Sequence, residues 1–255
     1  MRCRAVSHDE TYPTPRANRK TTWGDIMRRT SLLLFVLTIC AGSLWAQRPR
    51  VYRAGDPGMW LSGGVAGFTS TGVNDGRTAS SWDFGNSTNW QYRASLEKGA
   101  GNGSSWGISG SYARVPFIYS ADLLTPLPSG VSGGRCGQCD AHLDMTTLLA
   151  TFHAGGGYGF HQVIELSGGV VAYQNLKRDS DATKLAGGGN IDPLFSIGYG
   201  VGYSFGERTQ IDFVPDYAIA IHERSGLSNG VSNTNSMRSL RVSLRMGFGG
   251  RTVRR

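Results

Sequence analysis

Phe195, Ser196, Ile197, Gly198, Tyr199, Gly200, Val201, Gly202, Tyr203, Ser204, Phe205: large apolar residues hold every odd position of this stretch, and glycine or serine every even one. Side chains of a strand point alternately to opposite faces, so one face carries Phe, Ile, Tyr, Val, Tyr and Phe while the other is almost bare. A soluble sheet buries its apolar face and turns polar groups to water. Here the non-apolar face is so small that it suits the crowded interior of a narrow closed barrel, with the apolar face against lipid. At roughly 3.3 Å per residue and a tilt of about 40°, the stretch covers roughly 25 to 30 Å, the height of an outer-membrane apolar band.

The N-terminal region carries the layout of a secretory signal. Arg28 and Arg29 follow Met27, Leu32 to Ile39 form an apolar run too short to span a bilayer, and Ala41 to Ala46 lead to a cleavage site before Gln47. Ile39 stands where a lipoprotein signal wants a small residue, which argues against lipidation of Cys40. A twin-arginine route is disfavoured because a barrel crosses the inner membrane unfolded. The expected division is residues 1–26 as a mis-called start or extension, 27–46 as signal peptide, 47–57 as a periplasmic lead, 58–248 as barrel and 249–255 as a basic tail. Residues 1–46 hold seven Lys or Arg and three Asp or Glu, so the formal charge of +8 falls to 19 against 15, or +4. The remaining bases are scattered singly, which excludes a nucleic-acid binder. Thirty-seven glycines are about twice the usual share and fit a tightly curved sheet.

Seven further stretches join the first. About Gly58 to Phe68 is glycine-rich, and its parity is open between Met59, Leu61 and Val65 on one side and Trp60 and Phe68 on the other. Trp82, Phe84, Trp90, Tyr92, Ala94 and Leu96 share a face, opposite Asp83, Ser87, Gln91, Arg93, Ser95 and Glu97. Trp106 to Tyr119 follows, loosened at its far end by Pro116. Ala141 to His153 places Leu143, Met145 and Leu149 against lipid, opposite His142, Asp144 and Thr146. Gln162 to Asn175 turns Ile164, Leu166, Val170 and Ala172 out and Glu165, Ser167 and Gly169 in. Arg208 to His222 pairs Ile211, Phe213, Tyr217, Ile219 and Ile221 with Gln210, Asp212, Asp216 and His222, and Pro215 predicts a bulge or kink. The last alternates Leu240, Val242, Leu244, Met246 and Phe248 with Arg241, Ser243, Arg245 and Gly247.

The connections alternate as well. Lys98–Ser105, Ala154–His161 and Gly206–Glu207 are short, whereas Thr69–Ser81, Ser120–Asp140, Leu176–Asp192 and Glu223–Ser236 are longer. Short periplasmic turns alternating with long external loops belong to an even-stranded barrel with both termini inside. The expected fold is all-β, an eight-stranded antiparallel up-and-down transmembrane barrel. A barrel of that size is filled by its own side chains, and Arg93, Glu97, Asp144, Glu165, Asp212, Asp216, Arg241 and Arg245 are expected as a charge network inside it.

With these residues and the final aromatic, the chain resembles the small outer-membrane barrels of the OmpA transmembrane domain, OmpX and OmpW group. The resemblance implies residence in the bacterial outer membrane, outer-membrane lipid as surroundings and a monomer. It also implies that the last strand, ending at Phe248, is the recognition signal for the barrel-assembly machinery. The chain departs from the group in continuing beyond that aromatic, through Gly249 to Arg255.

Chemistry is sparse, and neither a catalytic centre nor a cofactor is expected. Cys136 and Cys139 form a C-x-x-C in the second long loop, where an oxidising compartment favours a short disulfide over redox catalysis. A metal site of Cys136, Cys139, Asp140 and His142 is the rarer reading. His142 and His222 near the outer rim, and His153 and His161 beside a periplasmic turn, are expected as polar packing. Structural anchor, surface-interaction protein and minor pore all remain open. The alternatives are a lipocalin-like carrier, which would need a polar exterior that these strands lack, and a lipid-modifying enzyme of the outer membrane.

Overall fold

In the computed structural model the described residues are 57–85, 88–101, 103–187 and 190–249; the expected signal peptide, the N-terminal lead up to residue 56 and the tail beyond Gly249 lie outside them. The strands are β1 (Met59–Ser70), β2 (Val73–Asp75), β3 (Ser80–Asp83), β4 (Asn89–Gly101), β5 (Ser104–Ala121), β6 (Cys139–Ala154), β7 (Gly159–Arg178), β8 (Ile191–Ser204), β9 (Thr209–Ile221) and β10 (Thr234–Phe248). Eight of them form the wall. Each of β1 and β4 to β10 pairs antiparallel with two other wall strands, β5 also taking β3 along its outer end, and the β1–β10 and β5–β6 ladders close the ring. A closed ring leaves no wall strand with an unpaired edge, the condition for spanning a membrane with strands.

The stagger can be followed through the pairings. One row runs from Ser105 on β5 through His153, Glu165, Gly198, Asp216, Ser239 and Phe68 to Asn89 on β4. Asn89 lies two residues past Gln91, which faces Ala113 of β5. The row therefore returns about ten residues along β5 from its start, as strongly tilted strands require.

The apolar face of β8 is outside. Phe195, Ile197, Tyr199, Val201, Tyr203 and Phe205 are between 39% and 60% exposed, and Ile211, Phe213, Leu240, Val242, Leu244, Met246 and Phe248 continue the belt. This arrangement is the inverse of a calyx around an apolar ligand. The bare inner face has a physical cause: β-carbons at Gly198 and Gly202 would collide with Asp216, and with His161 and Asp212, which lean over β8. Gly200 is constrained by backbone, since a β-carbon there would collide with the Phe213 carbonyl and lie 2.8 Å from Val214 Cα.

Several expectations are corrected. The second predicted strand is two elements: Trp82 and Phe84 belong to β3 and its turn and are buried, while Trp90, Tyr92 and Leu96 of β4 face outward. Gly85, at φ +63°, breaks the run without breaking its parity. In β6 the faces are exchanged, because Leu143, Met145 and Leu149 point into the barrel and Leu148 and Phe152 outward. Pro116 does not loosen β5, which runs on to Ala121. At Pro215 there is no bulge; pairing with β8 lapses between Gly198↔Asp216 and Val201↔Phe213 with the register unchanged. On β1, Met59, Leu61 and Val65 are the outward set, and Ala66 and Phe68 are buried.

Candidate functional site

The interior has two layers, and the periplasmic one carries the charges. Glu165 accepts two hydrogen bonds from Arg241, at 3.1 and 2.9 Å, and a third from Arg93. Arg241 Nε also lies 3.5 Å from Asp216, and His153 Nδ1 lies 3.8 Å from Glu165. One step toward the periplasm, Arg245 donates to Glu97 at 2.5 Å and to Ser105 at 2.8 Å, with its guanidinium over the Trp60 ring. Ser95 and Ser105 complete the Glu97 carboxylate at 2.6 and 2.5 Å. Asp212 is held by Gln210 at 2.9 and 3.0 Å. Hydroxyls bridge the β5–β7 side, Ser111 to Thr147 at 2.6 Å and Ser109 to Thr151 at 2.8 Å. Buried charges survive only when paired and hydrogen-bonded, and Glu165 and Glu97 are both, whereas Asp212 has the Gln210 amide alone and the Nε atoms of Arg241 and Arg245 have no hydrogen-bond partner.

Seven of the eight predicted charges point inward; Asp144 does not. It stands on the outer wall beyond a bulge that lies between His142 and Asp144, where it accepts from Arg114 Nε at 2.9 Å, Tyr112 Oη at 2.9 Å and Asn175 Nδ2 at 2.7 Å. Asp144 lies outward with the exchanged faces of β6, whose pairing with β5 runs in one register from Ala154 to Cys139, and the bulge belongs to the β7 side.

Toward the outside the interior turns apolar. Trp82 stacks edge-on against Tyr173 and His222, with centroids 5.7 and 5.6 Å away, and Phe84 lies 5.6 Å from Phe117. Val115, Tyr119, Leu143, Met145, Leu176 and Leu185 pack with them, all at most 1% exposed. The polar groups admitted there are satisfied: His222 Nδ1 pairs with Asp192 at 2.8 Å, and Ser70 and Tyr173 meet Asn235 at 2.6 and 3.2 Å. This plug was invisible in the sequence as a unit, because its members come from every strand but β4 and from the segments that carry Phe84 and Leu185.

Above the plug the loops are tied together. Gly134 and Lys184, then Ala186 and Gly134, exchange backbone bonds of 2.8 Å, and Asp122 N donates to Ala79 O at 3.0 Å. Asn74 reaches Ser232 O at 3.0 Å. Cys136 and Cys139 are joined as a disulfide, so their thiols are not available to a metal, and His142 is engaged by Asp179 at 2.5 Å. Next to the disulfide, Arg135 Nη1 clamps the carbonyls of Asp122 and Thr125 at 2.8 and 2.5 Å. The Thr125 hydroxyl and the Leu124 amide hold the Asp122 carboxyl below the usual carboxylate range. The turn so fixed presents Leu123 and Leu124, the latter 93% exposed.

The ring of paired strands and its apolar exterior define a transmembrane β-barrel of the outer-membrane class. No protein-family model and no curated protein matches the chain. Among solved structures it is similar to Neisserial surface protein A (11% identity, 75% of this chain and 97% of that one, TM-score 0.48). It is similar also to the outer membrane protein OprG from Pseudomonas aeruginosa (14%, 77% and 99%, TM-score 0.44). A third is Ail, the attachment invasion locus protein of Yersinia pestis, solved with a heparin analogue (12%, 76% and 99%, TM-score 0.39).

Proposed function

We propose that this chain is a non-catalytic surface-interaction protein of the bacterial outer membrane, with a filled barrel as anchor and the tied external loops as the binding surface. The observation that carries this reading is the plug of Trp82, Phe84, Phe117, Tyr119, Tyr173 and Leu176, which occupies the interior just where a pore would need a polar gap. A close-packed apolar layer excludes water and hydrated ions. Below it, Arg93, Glu165 and Arg241 are engaged with one another rather than lining an opening. The loops fit the reading for a second reason, since cross-links and the Arg135 clamp order a surface before it meets a partner and so lower the entropy lost on binding. Against hydrolysis, the group near Nε2 of the oriented His222 is the Asn190 amide at 3.4 Å, which offers no nucleophile. Planar-bilayer recording of the folded chain tests the anchor reading: no discrete conductance is expected, and reproducible ohmic steps overturn it in favour of a pore.

A further inference from the structure

We infer that the external loops hold a binding cleft for an uncharged, hydroxyl-rich glycan, floored by β2, β3 and the outer end of β5. The inference rests on the surface-interaction reading and names the chemistry of its partner. A cleft of about 430 Å³ opens there, closed on its far side by residues 226–231. That volume falls within the roughly 300–1,000 Å³ usual for small-molecule sites. Asn74 pairs with Ser81 and Ser81 with Ser120, so the three form a row across three strands, about 10 Å long at a strand spacing of ~4.8 Å. Their strand neighbours Asp75, Ser80 and Tyr119 are buried, which leaves the row on the outer face. It stands past Ile118, the last large apolar residue on the outer face of β5.

The walls are fixed before a ligand arrives. A β-carbon at Gly76 would lie 2.3 Å from the Ser225 carbonyl oxygen, so the first and fourth long loops meet backbone to backbone, and Asn74 Nδ2 donates to Ser232 O at 3.0 Å. On the other side Asp122 N donates to Ala79 O at 3.0 Å and Ala121 N to Cys136 O at 3.1 Å. Unused polar groups line this frame. The hydroxyls of Ser81, Ser120 and Ser228 make no hydrogen bond among the described residues, and Asn74 keeps its Oδ1 as an acceptor. The Asp122 carboxylate accepts from the Leu124 amide at 2.9 Å and the Thr125 hydroxyl at 2.7 Å and has lone pairs to spare.

Charge decides what fits. Asp75 and Asp122 line the cleft, and no Lys or Arg does. Arg77 is paired with Glu223 at 3.9 Å, and Arg135 is committed to the carbonyls of Asp122 and Thr125. Arg224, two residues before Gly226, is outnumbered by Asp83 and Asp140, which flank Ile118. Sulfate, phosphate and carboxylate groups therefore find no spare charge to pair with. A neutral sugar finds donors and acceptors for its hydroxyls, and Ala79, Ala121, Leu227 and Val231 for its apolar ring face. No aromatic ring lines the cleft, so hydrogen bonds carry the recognition, and a weak single site is best read through many copies on one vesicle.

Fluorescent lipid vesicles carrying the folded chain test the inference on three immobilised probes. These are neutral cell-surface oligosaccharides of hexose and N-acetylhexosamine, a neutral O-polysaccharide released from lipopolysaccharide, and sulfated or sialylated oligosaccharides. The first two separate another cell's surface from the bacterium's own envelope as the source of the glycan. Retention is expected on a neutral probe and not on the charged ones, and it should persist at high salt because no ion pair is involved. Ser81→Val with Ser120→Val removes two hydroxyls from strand positions that accept β-branched residues, and should lower retention at least about tenfold. Thr146→Val, on the outer wall of β6, should leave it unchanged. Heat-modifiable migration confirms that each variant is folded, and Ser228→Val, in a loop outside the sheet and expected to weaken retention by a smaller factor, carries the test should the double variant not fold. Capture by the charged probes alone overturns the cleft while the surface-interaction reading stands, since that reading falls to conductance. No retention on either neutral probe, loss of retention at high salt, or a folded double variant that binds as before overturns the cleft as well.

Discussion

The two halves of the barrel interior solve one packing problem with opposite materials. The periplasmic half fills its cross-section with paired charges, and the external half fills its own with aromatic rings and aliphatic side chains. The difference follows from what lies beyond each end. Below, short turns leave the charged layer near water, so long side chains from opposite strands span the lumen and meet in the middle. Above, the wall strands β5 and β7 rise past the belt, and the first loop folds Trp82 and Phe84 down between them, as a soluble domain would build a core. The anchor is thus continuous with the cap, and a rigid base is extended to loops that would otherwise be mobile.

The strongest test of the charged half is Glu165→Leu. It strands Arg93 and Arg241 in a buried site, and uncompensated buried charge costs about 3–5 kcal/mol, to be measured by denaturant unfolding in lipid vesicles. Glu165→Leu with Arg241→Leu should cost less than the single change, because Arg93 retains Asp216 nearby and two apolar side chains replace an ion pair. A double variant as unstable as the single one would mean that the layer depends on all its charges together.

The matching change in the apolar half is Trp82→Ala, with a cost of about 3–5 kcal/mol if the plug were fully coupled to the wall. Its place is different, however. Trp82 sits on β3, outside the ring of eight, so the loss should fall on loop order: faster amide exchange over Val73–Asp75 and Asn233–Thr234, with heat-modifiable migration retained. Failure of this variant to form a barrel at all would show that the cap is required for closure and that the halves are one cooperative unit.

Why the halves were unequally legible follows from the same contrast. Where the interior is polar, alternation has two distinguishable phases, and β8, β9 and β10 were placed with the right faces from Phe195, Ile211 and Leu240 onward. Where the interior is apolar, both faces look alike. Leu143, Met145 and Leu149 on the inside of β6 and Leu148 and Phe152 on its outside give no phase, and the faces were exchanged. Trp82 and Phe84 share parity with Trp90, so a turn at Gly85 passed for continuous strand. Asp144 was misplaced with the faces of β6, since it shares the parity of Leu148 and Phe152. The periplasmic network was readable as charges facing inward, but not as pairs, since partners such as Arg241 and Glu165 are 76 residues apart.

Third in size is the wall itself. Val201→Arg, in the middle of the belt, should destabilise the inserted barrel by about 2–4 kcal/mol. Gly200→Ser, the neighbouring change on the inner face, is not a mild control, because a β-carbon there meets the backbone of Phe213 and Val214. Leu244→Arg, two strands away on β10, on the same outer face and 40% exposed, is the sharper companion. A comparable cost is expected from both, and a mild effect of either in vesicle refolding would place that strand outside the lipid belt.

The smallest expected effect lies farthest from the wall. The Cys136–Cys139 disulfide spans a sequence separation of three, and so short a loop removes little entropy from the unfolded chain, so that its loss should cost about 1 kcal/mol or less. Cys139 opens β6, but it faces Tyr119 on a strand already paired along its length, so the ladder does not depend on the bond. What depends on it is the adjoining Arg135, whose clamp on Asp122 and Thr125 sets the exposed turn of Leu123 and Leu124. Replacing both cysteines with serine should leave unfolding in vesicles almost unchanged and barrel migration intact, while amide exchange at Leu124 and Thr125 accelerates. A large loss of global stability would show that the cap is anchored through this bond rather than through the plug beneath it, and the contrast between a rigid core and a lightly pinned rim would then have to be drawn the other way.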